Sequence, residues 1–259
     1  MRDPGLNDAI RVAGGVSELA RRIGISQPAV TNWERVPAER VLAVEAATGV
    51  PRIRLRPDLY GDAKPEAAHV DEVDAARAQE YALLAVLLAR APDARLLDAL
   101  TRIAGGDSAL AAAHRALAEA ASNTTPKRVE REYFNLFVGV GRGELMPYGS
   151  FYLSGFLYER PLARLRQDLE LLGIVNADGN HEPEDHAATL CEIMAALAGG
   201  KFGAPSDAQQ RIFEKHLAPW LGRFFDDLSK ASGAEFYRAV GALGRVFIDI
   251  ETEAFALPA

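Results

Sequence analysis

The sequence predicts an all-α protein in two modules, a small helical head and a larger helical bundle. Three observations carry this. Apolar residues recur three and four positions apart through most of the 259 residues, and nowhere do they alternate as a half-buried strand would. Proline and capping residues open the periodic segments and glycines close them. The charge also changes sign along the chain. Met1 to Tyr60 holds 9 Lys+Arg against 7 Asp+Glu, a balance of +2, and the remainder carries −9 of the net −7. No run approaches the roughly 18 apolar residues of a membrane span. The opening MRDPGLNDAIRVAGG has no apolar stretch ending in a cleavage site. A cytoplasmic protein is expected. The lone Cys191 excludes an internal disulfide framework and reads as a small core side chain.

The head comes first. In VSELARRIGISQPAVTNWER, residues 16–35, Leu19 and Ile23 share one helical face, and Val30 and Trp33 share the inner face of a second helix. Ala20 is small where two helices would cross. Gly24 permits the tight turn between them. Ser26 is a good N-cap and Pro28 falls in the first turn. This is the spacing of a helix-turn-helix, whose second helix enters the major groove. Gln27, Thr31 and Asn32 would point outward, where Gln and Asn can pair with adenine and Thr can meet a base edge. Ser26 and Arg35, with Arg21 and Arg22 on the preceding helix, are placed for phosphates. AERVLAVEAATG reads as a further helix, with Val41, Leu42 and Val44 to Ala47 supplying apolar contacts and Gly49 as its stop.

These residues, together with VPAERVLAVEAATGVPRIRLRPDLYG at 36–61, resemble the Cro-like, YdaS-type phage regulators from Leu6 to Gly61. The resemblance implies a compact all-α DNA-binding domain that usually acts as a dimer on paired half-sites. The head is therefore expected over 1–61.

DAKPEAAH, 62–69, is polar, carries Pro65 and reads as a linker. The bundle is expected over 70–259. DAARAQEYALLAVLLAR is its first helix. PDARLLDALTRIAGG opens at Pro92 and Asp93 and closes at Gly105. DSALAAAHRALAEAA follows, and then TPKRVEREYFNLF with Thr125 as cap and Pro126 in first position. ERPLARLRQDLELLG stops at Gly173, and about three more helices fill Ser206 to Leu257. Between them FVGVGRGELMPYGSFYLSG, 137–155, reads as an apolar, glycine-rich connection. Gly139, Gly141 and Gly143 suggest a phosphate cradle only weakly, because no strand precedes and no Gly-Lys-Ser/Thr follows. Met146, Pro147, Tyr148, Phe151 and Tyr152 suit either a packed corner or a grip on an apolar peptide.

HEPEDH, 181–186, packs two imidazoles and three carboxylates together. A metal site is disfavoured, since His181 and His186 are five apart with a proline between, against the three or four that suit one helix face. Pro183 sits where a helix would begin, running through Leu190, Met194 and Leu197. Glu184 and Asp185 then fall in its first turn, at the positive end of the dipole. An acid/base pair lacks a nearby nucleophile.

Glu132 or its neighbour with Leu136 and Phe137, then Pro147, Tyr148, Ser150 and Tyr152, then Glu182, Pro183, Asp185 and His186 resemble, in order, the motifs of the TorD/DmsD redox-enzyme maturation chaperones. The likeness spans roughly Ala75 to Phe255. It implies a cytoplasmic, non-enzymatic chaperone on an all-helical TorD-like bundle. Such a chaperone binds the apo form of a molybdenum-cofactor oxidoreductase, often through its twin-arginine signal peptide. The ten motif residues from Leu136 to His186 would form the peptide site, with Asp185 and His186 as the partner-binding pair, facing outward beside Tyr148. No catalytic residue, metal or cofactor is expected. An acidic, aromatic body would also attract a basic and apolar peptide. The alternative is a transcription regulator whose helical body senses a small molecule. A metal-dependent hydrolase and a chaperone with an inactive head are the remaining readings.

Overall fold

The computed structural model describes residues 2–60, 71–103, 105–175, 182–202, 204–205 and 207–257. The expected linker at 62–69, the turn at 176–180, and His181 lie outside them. Two compact units emerge, Met1–His69 with Leu169–Val175, and Val70–Asp168 with Asn176–Ala259.

The head consists of α1 (Pro4–Ala13), α2 (Val16–Arg22), α3 (Gln27–Thr31), a 3-10 turn at Ala38–Arg40, α4 (Val41–Thr48), α5 (Arg52–Leu55) and α6 (Pro57–Tyr60). Asp3 caps α1 by accepting from Gly5 N, and Gly14 ends it in the left-handed region. Leu6, Ala9, Leu19, Ala20, Val30, Val41, Val44 and Leu55 form its core. Gly24 takes a positive φ of +70° between α2 and α3, as its place in the turn predicts. Gly5 lies so close to α5 that a Cβ there would stand 2.1 Å from the Arg54 carbonyl oxygen. Two expectations fail here. Ser26 sits at the N-cap position of α3 but makes no side-chain cap bond. Leu42 is 57% exposed, because Val41 and Val44 take the inward face of so short a helix.

The body consists of α7 (Glu72–Ala89), α8 (Ala94–Leu100), α9 (Ala109–Ser122), α10 (Pro126–Tyr133), α11 (Gly149–Ser154), α12 (Arg160–Leu171), α13 (Ala187–Ala198), α14 (Ala208–Ile212), α15 (Leu221–Lys230) and α16 (Phe236–Ala256). Wide π-turns extend α10 over Phe134–Val138 and α14 over Phe213–Leu217. α7 packs along α13, and α16 packs on α15 and α9. Gly241 and Gly244 let α16 approach α15, since a Cβ on Gly244 would stand 2.3 Å from the Phe225 ring. Tyr81, Leu84, Leu190, Met194, Phe224 and Phe225 are sealed in the core. Arg77 reaches Glu251 with two bonds of 2.7 Å, and Tyr81 donates to the same carboxylate at 2.9 Å, so the buried charge is paired. Among the described residues there is no strand, only an isolated antiparallel bridge between Tyr148 and His186. No helix among them is long and apolar enough to cross a membrane. Cys191 is buried as expected, and burial pushes its thiol up to about 12.

Three element boundaries differ from expectation. α8 ends at Leu100, short of Gly105. The 137–155 connection contains a π-turn and α11. α13 starts at Ala187, so Pro183 to Asp185 form a turn ahead of it rather than its first turn. The helix-dipole account of Glu184 and Asp185 is therefore corrected. Glu184 instead pairs with Arg166 Nε at 2.8 Å, and Asp185 turns inward.

Candidate functional site

The site grows out of the end of α10. Thr125 caps that helix by accepting from Arg128 N, and Pro126 occupies its first turn. Glu132 is buried at its far end and points at the start of α16. Its Oε1 accepts from Glu235 N at 2.9 Å and Tyr237 N at 2.7 Å, and its Oε2 accepts from Phe236 N at 3.1 Å. α16 has no cap of its own, so a carboxylate from another helix satisfies its orphan donors. Of Glu132 and its neighbours, Glu132 is thus the anchoring acid.

After α10 the chain widens into the π-turn that holds Leu136 and Phe137. Leu136 is fully buried. Phe137 stacks 5.0 Å from Tyr133 and edge-on 5.3 Å from Tyr237. The glycines that follow are spent on folding the chain back. Gly139 N donates to Phe134 O at 2.6 Å and Leu145 N to Leu136 O at 2.8 Å. A Cβ on Gly139 would lie 2.0 Å from Arg142 O, and one on Gly143 would lie 2.6 Å from Leu136 O. These backbones are packed on each other, which accounts for the glycines without a phosphate.

Pro147 to Ser150 then meets Glu182 to His186 in a clasp. Gly149 N donates to Asp185 O at 2.9 Å, and Ala187 N donates to Pro147 O at 2.8 Å. Ser150 N, in the first turn of α11, donates to Asp185 Oδ2 at 2.6 Å. His186 Nδ1 accepts from Ala188 N at 3.1 Å and so caps α13. With Nδ1 used as acceptor, the neutral ring carries its proton on Nε2. Burial lowers the His186 pKa, against the pull of Glu182 and Asp185. Tyr148 donates to Glu182 Oε1 at 2.7 Å and stands edge-on to His186 at 5.0 Å. Burial and that bond together raise the Tyr148 phenol. Gly149 lies against Trp220, whose Nε1 would be 3.0 Å from a Cβ. Tyr152 tilts over Trp220 at 5.4 Å and donates to Asp227 at 3.0 Å.

Asp185 and His186 therefore do not face outward. They are 3% and 7% exposed, because each spends its acceptor on a helix N-terminus. Their expected neighbour is right, since Tyr148 is paired with His186. Of the other expected residues, Leu136, Pro147, Ser150 and Pro183 are buried, while Phe137, Tyr148 and Tyr152 are half-buried and Glu182 is exposed. Sequence reasoning passed over Leu153, Phe156 and Tyr158, exposed by 43%, 69% and 70%. Tyr158 holds a φ of +61°, unusual for a bulky residue. The density of apolar residues after Gly149 was the available signal.

In the head, Gln27, Thr31 and Asn32 are exposed as expected. Thr31 Oγ1 donates to its own helix at Gln27 O, 3.0 Å away. Arg21 and Arg22 are both held by Glu18, which they pull down to about 2, and Arg35 reaches Asp58 at 3.3 Å. Arg2 donates to Thr31 O at 2.9 Å and so brings a cation to α3 that sequence spacing did not indicate.

Comparison with known proteins places both halves. Residues 104–226 match the family described as nitrate reductase delta subunit, and residues 6–64 match the family described as bacterial toxin YdaS. A chaperone protein TorD from Shewanella loihica is 27% identical over 202 residues, 69% of this chain and 92% of that protein. A Tat proofreading chaperone DmsD from Salmonella paratyphi A is 34% identical over 113 residues, 43% of this chain and 54% of its own. A TorD from Vibrio cholerae is 27% identical over 126 residues, 45% of this chain and 57% of its own. The chain thus spans little more than half the length of the latter two. A crystallised redox-enzyme-maturation candidate from Archaeoglobus fulgidus aligns with 17% identity and a TM-score of 0.46, over 67% of this chain and 93% of that one. The relatives are named as chaperones, and the chain is similar to these TorD and DmsD proteins and, over residues 6–64, to the YdaS type.

Proposed function

We propose that the body is a cytoplasmic chaperone for the apo catalytic subunit of a molybdenum-cofactor oxidoreductase, held through its twin-arginine signal peptide. The working limits are 1–61 for the head, 62–69 for the linker and 70–259 for the chaperone domain. The observation that carries the reading is the clasp. Pro147, Tyr148, Ser150, Glu182, Pro183, Asp185 and His186, far apart in sequence, are drawn into one hydrogen-bonded unit at the foot of an exposed apolar segment. In this reading the buried members hold the surface in shape. Phe137, Tyr148, Tyr152 and Glu182 touch the peptide. A basic, apolar peptide suits an acidic body with exposed aromatics.

The test is calorimetric titration with the signal peptide of a molybdoenzyme encoded beside this gene. Tyr148→Ala is expected to weaken binding about tenfold, the loss of one good contact. Wild-type affinity in that variant, or no binding by the wild-type chain, rejects the assignment.

The head is proposed to bind duplex DNA as a homodimer, with Gln27, Thr31 and Asn32 at base edges and Ser26, Arg21, Arg22 and Arg35 at phosphates. The exposure of the first three, on α3 and at its C-cap, supports this. A mobility assay across salt concentrations tests it, because phosphate contacts require affinity to fall as salt rises. Coupling of the two halves requires the client to change the DNA affinity. Equal affinity with and without client removes the coupling alone.

A further inference from the structure

The head carries nine arginines, and seven of them hold a carboxylate oxygen within 3.4 Å. Such a cation brings its own counter-charge, and a phosphate gains it only by displacing that carboxylate. Arg2 and Arg40 alone hold no carboxylate among the described residues. Arg40 is exposed on the 3-10 turn, and no side-chain bond among those residues positions it. Arg2 is different. Its Nη2 donates to Thr31 O at 2.9 Å, at the C-terminal end of α3. The segment that carries it is pinned to the same corner, since Asp3 N donates to Glu34 O at 2.7 Å and Asn7 Nδ2 donates to Arg2 O at 3.5 Å. The Asp3 carboxylate is spent on Gly5 N at 2.9 Å. Nε and Nη1 of Arg2 bond nothing among the described residues.

A guanidinium holds five N–H donors in a fixed fork and matches a phosphate with two of them. With one donor tied to α3, the rest form a charge already oriented, so less side-chain freedom is lost on binding. Gln27, Thr31 and Asn32 lie exposed on that helix and at its C-cap. A cation tethered to a helix that enters the major groove meets the strand bordering the groove. We propose that Arg2 holds a backbone phosphate of duplex DNA at the C-terminal end of α3, and that it is a stronger phosphate contact than the carboxylate-paired arginines of the head. This rests on the reading of the head as a duplex-binding domain and adds to it a contact from outside the helix-turn-helix.

A phosphate contact is blind to sequence, so the probe is a short mixed-sequence duplex, labelled and titrated with the full chain by fluorescence anisotropy across a salt series. Arg2→Gln is expected to flatten the slope of log K against log[salt] by about 0.9, the release of one counterion, and to weaken binding about eightfold at 0.1 M salt. Arg52→Gln removes the same unit of charge from an exposed arginine paired with Glu45 at 2.8 Å, and is expected to leave the slope unchanged. Arg2→Lys keeps the charge without the fork, and is expected to keep the wild-type slope while binding a few-fold more weakly. An unchanged slope in Arg2→Gln, with the wild-type chain binding, overturns the contact and leaves the head reading intact. Equal flattening in Arg52→Gln overturns it too, because diffuse charge then accounts for the effect. An Arg2→Lys slope as flat as that of Arg2→Gln also overturns it, because Arg2 would then act by holding α3 rather than by its charge. A wild-type chain that binds no duplex rejects the head reading and this contact with it.

Discussion

Replacing Glu132 by alanine removes the only side chain among the described residues that caps α16, the longest helix described in the body. Three backbone N–H groups would lose their acceptor, those of Glu235, Phe236 and Tyr237, and the latter two bonds are buried. Each orphaned buried donor costs about 1–3 kcal/mol, and the lost charge at the helix N-terminus adds up to about 1 kcal/mol. Partial access of water to Glu235 N trims the sum, so about 3–5 kcal/mol is expected. For a body of this size that lowers the melting temperature by about 6–20 °C, at roughly 2–4 °C per kcal/mol. Glu132→Gln keeps one acceptor oxygen and should lose about half as much, on the order of 2 kcal/mol. The chain has two tryptophans, Trp33 in the head and Trp220 in the body. Urea titration in a Trp33→Phe background therefore reports the body alone. Glu130, exposed on the same helix, supplies the control. A midpoint for Glu132→Ala within error of that for Glu130→Ala refutes the trans-capping argument.

Other consequences follow from single contacts. Gly149→Ala drives a methyl to 3.0 Å from Trp220 Nε1, which is held by His216 O at 2.7 Å, so about 1–3 kcal/mol of stability is lost, read in the same urea titration. Gly5→Ala sets a Cβ 2.1 Å from Arg54 O, and calorimetry should show the head transition lowered while that of the body stays. Acid should destabilise the body. Burial lowers the pKa of both His186 and His216 from the ordinary 6.5, so below that pH the unfolded chain binds protons that the folded chain refuses. Stability is then fully present above about pH 6.5 and falls as the pH drops, by up to about 1.4 kcal/mol per unit for each histidine. His186→Asn keeps a capping side chain and should reduce that slope; an unchanged slope between pH 6.5 and 5 discounts His186 as its source.

Much of this fold was readable from residue types. Thr125-Pro126 and Asp93 opened helices where expected, and Gly49 closed one, because caps act within a few residues of themselves. α1 carried the same signals, Asp3-Pro4 before it and Gly14 after it, and could have been found. What local pattern did not carry was tertiary. The carboxylates of HEPEDH look alike in sequence, yet Asp185 is claimed by Ser150 N, 35 positions away, and Glu184 by Arg166. Nothing within the hexapeptide says which will turn inward. Likewise Glu132 reads as one more exposed acid of α10 until α16 arrives above it, and Leu42 reads as core until Val41 and Val44 fill the space. Proximity of Tyr148 to His186 was legible only through the family likeness, since the bridge that joins them spans a segment of unrelated periodicity.

The burial of Asp185 changes what mutagenesis of the clasp measures. Asp185→Ala leaves the buried Ser150 N without its acceptor, so about 1–3 kcal/mol of stability should go with it. Loss of peptide binding in that variant would report a deformed surface as readily as a lost contact. Tyr148→Phe differs in kind. The ring keeps its edge-on packing against His186, and only the partly exposed bond to Glu182 disappears, worth about 0.5–1.5 kcal/mol. Titrating both variants with the same signal peptide, beside their thermal melts, separates scaffold from contact. Asp185→Ala should lose stability and affinity together, whereas Tyr148→Phe should lose affinity with a smaller fall in melting temperature, about 1–6 °C. An Asp185→Ala protein that melts with the wild type yet no longer binds peptide would return the aspartate to direct contact and refute its assignment to the scaffold.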